Sequence, residues 1–322
     1  MGHGKIKIGQ AAFSASQIGT LYGCGWATML ELYNKYKGID EVLREPTDEA
    51  KESMAMGTFF EDTIARYAAQ KLGVKIKKCG ETAFWSDDMP YFICHPDRLV
   101  VGKDIYGLRT ALEIKCVAPF AEGWGEDGSA EIPDNYFFQV QSYYACNVPC
   151  DRVIVVCMKG NRITSHEIVR DDDVVEAIRK AVREAKESFD RGEIPEPENY
   201  DEASRFYGSR VNKDAEGVGA NDEVLGIYDR LITIHYNQKN LEDEENNCKR
   251  MLMENLGTSP AFVTTEGKKI KKICYWSETS RTSYDLEGLR EDHPEVDIDA
   301  YKHTTTSRSF RVSYPRKEKD NG

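Results

Sequence analysis

No long apolar run occurs in the 322-residue chain; nothing in it approaches the roughly 20 apolar residues a membrane helix needs. No membrane partner is therefore expected. The opening MGHGKIKIGQAAFSAS has no apolar h-region of a secretory signal, which predicts a cytoplasmic protein. CxxC pairs are missing as well. The nine cysteines are odd in number and scattered, a pattern of free thiols in a reducing compartment, not of a disulfide framework. Positive charge is short: 43 Lys and Arg face 55 Asp and Glu, giving a net −12. That disfavours polyanion binding through the bulk field, yet it allows an acidic cation-holding pocket or an enclosed basic channel. No internal repeat appears.

Hydrophobic residues make up 40% and charged residues 30%, as in a soluble globular chain. Amphipathic patterning predicts a helix over 11–37, capped by Ser14 or Ser16 and ended at Gly38, and a second from Thr47 or Asp48 to Gly73. Strands are expected at 74–86 and 91–101, then at the run ALEIKC, residues 111–116. A loop over 118–132 leads to a helix over 133–147 with Pro133 at its start, a hairpin around Gly160, and a helix over 171–191. This order implies an α/β core with a mixed sheet. We place domains at 1–198 and 222–322, joined by a Pro- and acid-rich linker over 199–221. The second is expected to be an α+β extension: a helix over 222–256, a hairpin, a short helix near 285–292 and an edge strand SFRVSY.

In ALEIKC, an otherwise core-like strand carries Glu113 and Lys115 two residues apart, so both point to one face while Leu112, Ile114 and Cys116 point to the other. Asp97, in HPDRLV, ends an apolar strand, and Pro96 restrains its approach. Two carboxylates converging on a rigid strand pair repel unless a cation joins them, and hard oxygen ligands suit Mg²⁺ or Mn²⁺. With a lysine beside them, the set suits phosphodiester hydrolysis. The plain alternative is a salt bridge of Glu113 with Lys115 or Arg98, worth roughly 0–1 kcal/mol at a surface.

The flanking segments decide between these. HPD followed by ALEIKC resembles the PD-(D/E)XK nuclease motif. MGTFFED resembles the MGxxxE helix of the YqaJ-like viral recombinase family, which is related to lambda exonuclease; IPDNYFFQVQSYYAC resembles its IPxxYxxQVQ segment and a QhxxY pattern; FSASQIGTLYG resembles its N-terminal helix. The resemblance spans about residues 11–195. It implies a restriction-endonuclease-like core with a mixed central sheet flanked by helices, and a Mg²⁺-dependent DNA exonuclease with two ions.

By that resemblance, Asp97, Glu113 and the Ile114 carbonyl bind the metal, Glu61 binds or orients a second ion, and Lys115 positions the attacking water. Gln139 holds the lysine, the nucleophile or a phosphate, with Gln141 the alternative in the same motif. Tyr143 supports the site or contacts DNA, and Ser16 meets a DNA phosphate or serves only as a cap. The implied partners are duplex DNA ends and a RecT/Bet-like annealing protein, in a bacterial host or phage-infected cell. A homo-oligomer is expected, a ring among the options, with 5′-to-3′ digestion. The stretch GQAAFSA lacks the arginine that lambda exonuclease uses at a 5′-phosphate; Lys5 or Lys7 is the available substitute. The same site on a structure-specific endonuclease or nickase is the second reading, and a non-catalytic DNA-binding module the third. Cys146, Cys150 and Cys157 are a candidate metal site, since some iron–sulfur nucleases use clustered cysteines, but their spacing does not give the CxxC pairs of a zinc site. Lys268, Lys269, Lys271 and Lys272, near Tyr275 and Trp276, suit either a DNA-tracking strand or a solvated turn. A stripe from Leu231 to Leu252 suits core or an oligomer surface.

Overall fold

The computed structural model describes residues 2–5, 13–39, 44–212, 214–266, 269–276, 285–293 and 296–297. Lys7, Lys268 and the SFRVSY strand lie outside them. The chain divides into two compact units, Met1–Val211 and Asn212–Gly322.

The first unit opens with β1 (Gly2–Lys5) and β2 (Phe13–Ser14). The single helix expected over 11–37 is instead two. After a 3-10 turn at Ala15–Gln17 comes α1 (Ile18–Leu21), then a break, then α2 (Met29–Lys37). The break has a local cause. Gly23 sits at φ 71°, and a Cβ on Gly25 would lie 2.3 Å from Thr20 Oγ1, so the chain turns tightly where only glycine fits. α3 (Asp48–Leu72) is capped by Thr47, whose hydroxyl accepts from Ala50 N–H, and ends at Gly73 in the left-handed region.

The strands are shorter than the runs predicted: β3 (Ile76–Lys78), β4 (Thr82–Ser86), β5 (Met89–Cys94) and β6 (Arg98–Val100). Then follow β7 (Thr110–Val117), α4 (Asp134–Ala145), β8 (Arg152–Lys159), β9 (Arg162–Val169) and α5 (Asp172–Asp190). One sheet has order β1-β4-β5-β2; the central one runs β3-β6-β7-β8-β9, mixed because β7 and β8 are parallel while its other pairs are antiparallel. The sequence-based expectation of an α/β core with a mixed sheet between helices is thus what the chain adopts.

Alternation along β7 and β8 separates two cores. Leu112, Ile114, Ile154 and Val156 pack on Ile64, Ala65 and Ala68 of α3. Ala111, Val153 and Val155 face the opposite way, into the cluster holding Val140 and Tyr143 of α4 and Ile178 and Val182 of α5.

The stretch read as a linker contains α6 (Tyr200–Arg210). Its Phe206 and Glu202 are buried; the Glu202 carboxylate accepts from the Thr28 hydroxyl and from Glu198 N–H, tying α6 to the cap of α2. Local Pro and acid content concealed this because the partners lie about 170 residues away. In the second unit, α7 (Asp222–Leu256), β10 (Ala261–Glu266), β11 (Lys269–Tyr275) and α8 (Leu286–Asp292) match the expected long helix, hairpin and short helix.

The turn before β7 is pinned by Asp104. Its carboxylate accepts from the Thr110 hydroxyl at 2.6 Å, the N–H groups of Tyr106 and Leu108, and the Arg152 guanidinium at 2.7 Å. Burial alone would raise its pKa, but these donors outweigh it and hold it at about 2, against 3.8 ordinarily. The difference is worth roughly 2 kcal/mol, present above the unfolded pKa and lost as pH falls towards 2. Asp104→Asn is expected to lower the melting temperature several degrees at pH 7 and by much less near pH 2.5, measured by circular dichroism.

Candidate active site

Glu113 and Lys115 lie on the β7 face that looks at α4, opposite Leu112 and Ile114, as strand alternation requires. Arg98 pairs with Leu112 and Leu99 with Ala111; continuing that register sets Asp97, just before β6, across from Glu113 on the same face. There the Asp97 carboxylate accepts from Ile114 N–H at 2.7 Å. N–H and C=O of one strand residue point to the same side, so the Ile114 carbonyl also faces Asp97.

The pair is no surface salt bridge: the Glu113 side chain is 3% exposed and that of Lys115 18%. Lys115 Nζ lies 2.6 Å from Glu113 Oε1 and donates to Gln139 Oε1 at 3.1 Å, while Gln139 Nε2 donates to Glu113 Oε1 at 2.7 Å. The Tyr143 hydroxyl donates to the other oxygen, Oε2. Nζ also sits 4.8 Å from the centre of the Tyr136 ring. Tyr136, Gln139 and Tyr143 recur at three- and four-residue steps, so one face of α4 holds both members of the pair. Burial pulls the Lys115 pKa down, but the Glu113 charge and hydrogen bond, with Asp97 beyond, win and hold it above the ordinary lysine value.

Asp97 goes the other way. Burial first, then the Glu113 charge, pushes its carboxyl up to about 8, against the pull of Ile114 N–H and Lys115. Two acids face one ammonium, and the site is short of positive charge. Glu61 adds to that field from α3, yet its Oε1 is taken by Arg98 Nη1 at 2.7 Å, with Lys78 3.7 Å away. Among the described residues its Oε2 accepts no hydrogen bond. The 4%-exposed Arg98 side chain also reaches Asp62 and donates to the Asp97 carbonyl at 2.7 Å. Of the two salt bridges the plain alternative offered Glu113, the one with Lys115 forms, at 2.6 Å, whereas Arg98 pairs with the α3 acids. Tyr136 is the residue that sequence reasoning passed over, and Arg98 entered it only as a partner for Glu113, because their roles depend on which elements pack together.

Other expectations are sorted here. Tyr143, offered as supporting the site or contacting DNA, is fully buried and donates to Glu113, an arrangement that suits the supporting reading. Gln141, the alternative to Gln139, binds the Val169 carbonyl and Asp171 N–H, away from the pair. Ser14, not Ser16, holds the capping position, and the exposed Ser16 hydroxyl is 3.0 Å from that of Ser14. β2 runs parallel to β5, with Ser14 beside Ile93, so this turn borders the strand leading to Asp97. All nine cysteines are free, and burial first pushes the Cys150 and Cys157 thiols up to about 12.

Beyond the pair, a cavity of about 910 Å³ opens at the carboxyl ends of β7 and β8, lined in part by Trp124, Lys159 and Arg162. The Trp124 ring is 5.4 Å from Tyr136, and Lys159 pairs across from Val117, two residues past Lys115.

Among the described residues no three His, Cys, Asp or Glu side chains are gathered to cage an ion. Mg²⁺ commonly uses only one or two carboxylates and keeps several waters. Asp97, Glu113 and the Ile114 carbonyl, all oxygen donors in a charge-deficient setting, fit that demand; Glu61 would join only by turning its free oxygen inward.

Residues 7–147 match the family model described as the YqaJ-like viral recombinase domain. The uncharacterized protein YqaJ of Bacillus subtilis (strain 168) is 27% identical over 160 residues, 48% of this chain. The match spans 46% of that relative, less than half its length. Among solved structures, the alkaline exonuclease of Laribacter hongkongensis is 16% identical with a TM-score of 0.39, covering 62% of this chain and 92% of its own. A phage-related exonuclease from Haemophilus somnus 129PT is 14% identical with a TM-score of 0.41, covering 56% and 95%. No helix of the described residues is long and apolar enough to cross a membrane. The stretch that supplies Glu61, Asp97, Glu113, Lys115, Gln139 and Tyr143 thus lies within the residues that match the YqaJ-like viral recombinase domain.

Proposed function

We propose that the chain is a Mg²⁺-dependent DNA exonuclease that hydrolyses phosphodiester bonds from duplex ends in phage-type recombination. The observation that carries this reading is the buried set of Asp97, Glu113 and Lys115 on one sheet face, short of one positive charge. The family match over the same residues supports it.

Asp97, Glu113 and the Ile114 carbonyl would hold the ion, which when bound supplies Lewis-acid charge at the scissile phosphate; Mn²⁺ would substitute, and Glu61 would serve a second ion. Lys115 stays protonated and presents N–H donors to water or a phosphate oxygen at the same point. Gln139 accepts from Lys115 and donates to Glu113, so it fixes the distance between amine and carboxylate. Tyr143 keeps its proton, because burial and the Glu113 charge raise its pKa well above the ordinary value, and so remains a donor that locks the Glu113 rotamer. Lys159 and Arg162, which form no ion pair among the described residues, offer charge to a strand lying over the carboxyl ends of β7 and β8.

Digestion of end-labelled linear duplex in Mg²⁺ tests this. Shortening from the ends, abolished by EDTA and absent on closed circular duplex, is the expected result. Faster loss from 5′-phosphorylated ends would support 5′-to-3′ polarity. Nicking of closed circles would favour the endonuclease reading, and degradation unaffected by EDTA would end the metal mechanism.

A further inference from the structure

The acids of the site fall into two groups with different balances of charge. Asp97 and Glu113 face one ammonium, Lys115, and stay one positive charge short. Glu61 and Asp62, neighbours on α3, are matched by two cations. Arg98 Nη1 lies 2.7 Å from Glu61 Oε1 and its Nη2 reaches Asp62. Lys78 Nζ lies 3.2 Å from Asp62 and 3.7 Å from Glu61. The two groups adjoin, because the same Arg98 Nη1 also donates to the Asp97 carbonyl at 2.7 Å.

The strand explains why Arg98 stands there. It pairs with Leu112 across β6 and β7, so it shares the Leu112 face, on which α3 packs. Its side chain is only 4% exposed, and a buried cation needs acids and acceptors around it. The planar guanidinium fork supplies that by holding Glu61, Asp62 and the Asp97 carbonyl at once. Drawing the Glu61 carboxylate away to an ion beside Asp97 and Glu113 breaks into this set. It leaves a buried charge short of one partner, which is costly. An ion held by Asp97 and Glu113 meets the opposite condition, a carboxylate pair that lacks a charge.

We propose that Arg98 sets the order in which two divalent ions load, by competing with the second for Glu61. The ion at Asp97 and Glu113 then binds tightly, and the one that needs Glu61 binds far more weakly. Arg98 is a positioning residue in this scheme, acting through the Glu61 carboxylate. The inference rests on the metal-dependent reading above and adds to it the residue that limits the second site.

Titration of the full chain with Mn²⁺ alone tests it, the free ion being read by electron paramagnetic resonance. The wild type is expected to show one tight site, with any second site roughly tenfold or more weaker. Arg98→Met is expected to tighten the second site roughly tenfold more than it changes the first. Adding Glu61→Gln to Arg98→Met should abolish that gain. A second site that neither appears nor tightens in folded Arg98→Met, or a gain that survives Glu61→Gln, overturns the proposal. Two equal sites in the wild type overturn it as well, whether or not the variants fold. Uptake of no Mn²⁺ by the wild type would instead end the metal reading itself, and this inference with it.

Discussion

Replacing Lys115 by alanine is expected to cut phosphodiester hydrolysis roughly a thousandfold, about 4 kcal/mol of transition-state stabilisation. The amine is the one cation on the site face of β7, touching Glu113 and Gln139 and packed over Tyr136. Its loss removes the donor proposed to meet water or a phosphate oxygen and leaves the buried Glu113 charge to Tyr143 and Gln139. Removing one partner of a buried pair also destabilises, by about 3–5 kcal/mol in the strongest cases, so activity should be compared well below the melting temperature of the variant. The readout is the initial rate on end-labelled duplex, with folding followed by circular dichroism. Activity within tenfold of the wild type in folded Lys115→Ala would mean that the hydrolysis arises elsewhere.

Tyr143→Phe comes next. It deletes one hydroxyl, fully buried, that donates to Glu113 Oε2. A hydrogen bond to a charged group contributes about 1.5–3 kcal/mol, and losing a group that orients a metal-binding side chain typically costs 10- to 100-fold in activity. The turnover rate should fall within that range while the Michaelis constant for DNA and its salt dependence stay as they were. A residue touching the DNA backbone would behave oppositely, with weaker binding and a shallower salt slope. Such an outcome would restore the DNA-contact role that burial argues against.

The parts of this site that follow from local periodicity were legible beforehand. Glu113 and Lys115 share a face because strands alternate, and Gln139 and Tyr143 share one because helices repeat near four. The Pro133 start and the Gly38 and Gly73 stops also held. What was not legible came from packing between distant segments. Nothing near Arg98 in sequence says that α3 would cross beneath it and supply Glu61 and Asp62. Likewise the aromatic seat of Lys115 appears only once α4 lies on β7. The break at Gly23 and Gly25 was missed for a third reason: the apolar pattern of 11–37 continues through it, and only the backbone approach to Thr20 rules the helix out.

The alternation of β7 has a consequence for change by insertion or deletion. Both faces of this strand are committed, one to the Glu113–Lys115 pair and its α4 partners and the other to the packing of α3. A single codon gained or lost ahead of Leu112 would exchange them, driving a carboxylate and an ammonium into the apolar layer and turning two aliphatic side chains towards the substrate. Catalysis and folding would fail together, so the spacing of this segment tolerates drift in identity far better than drift in length.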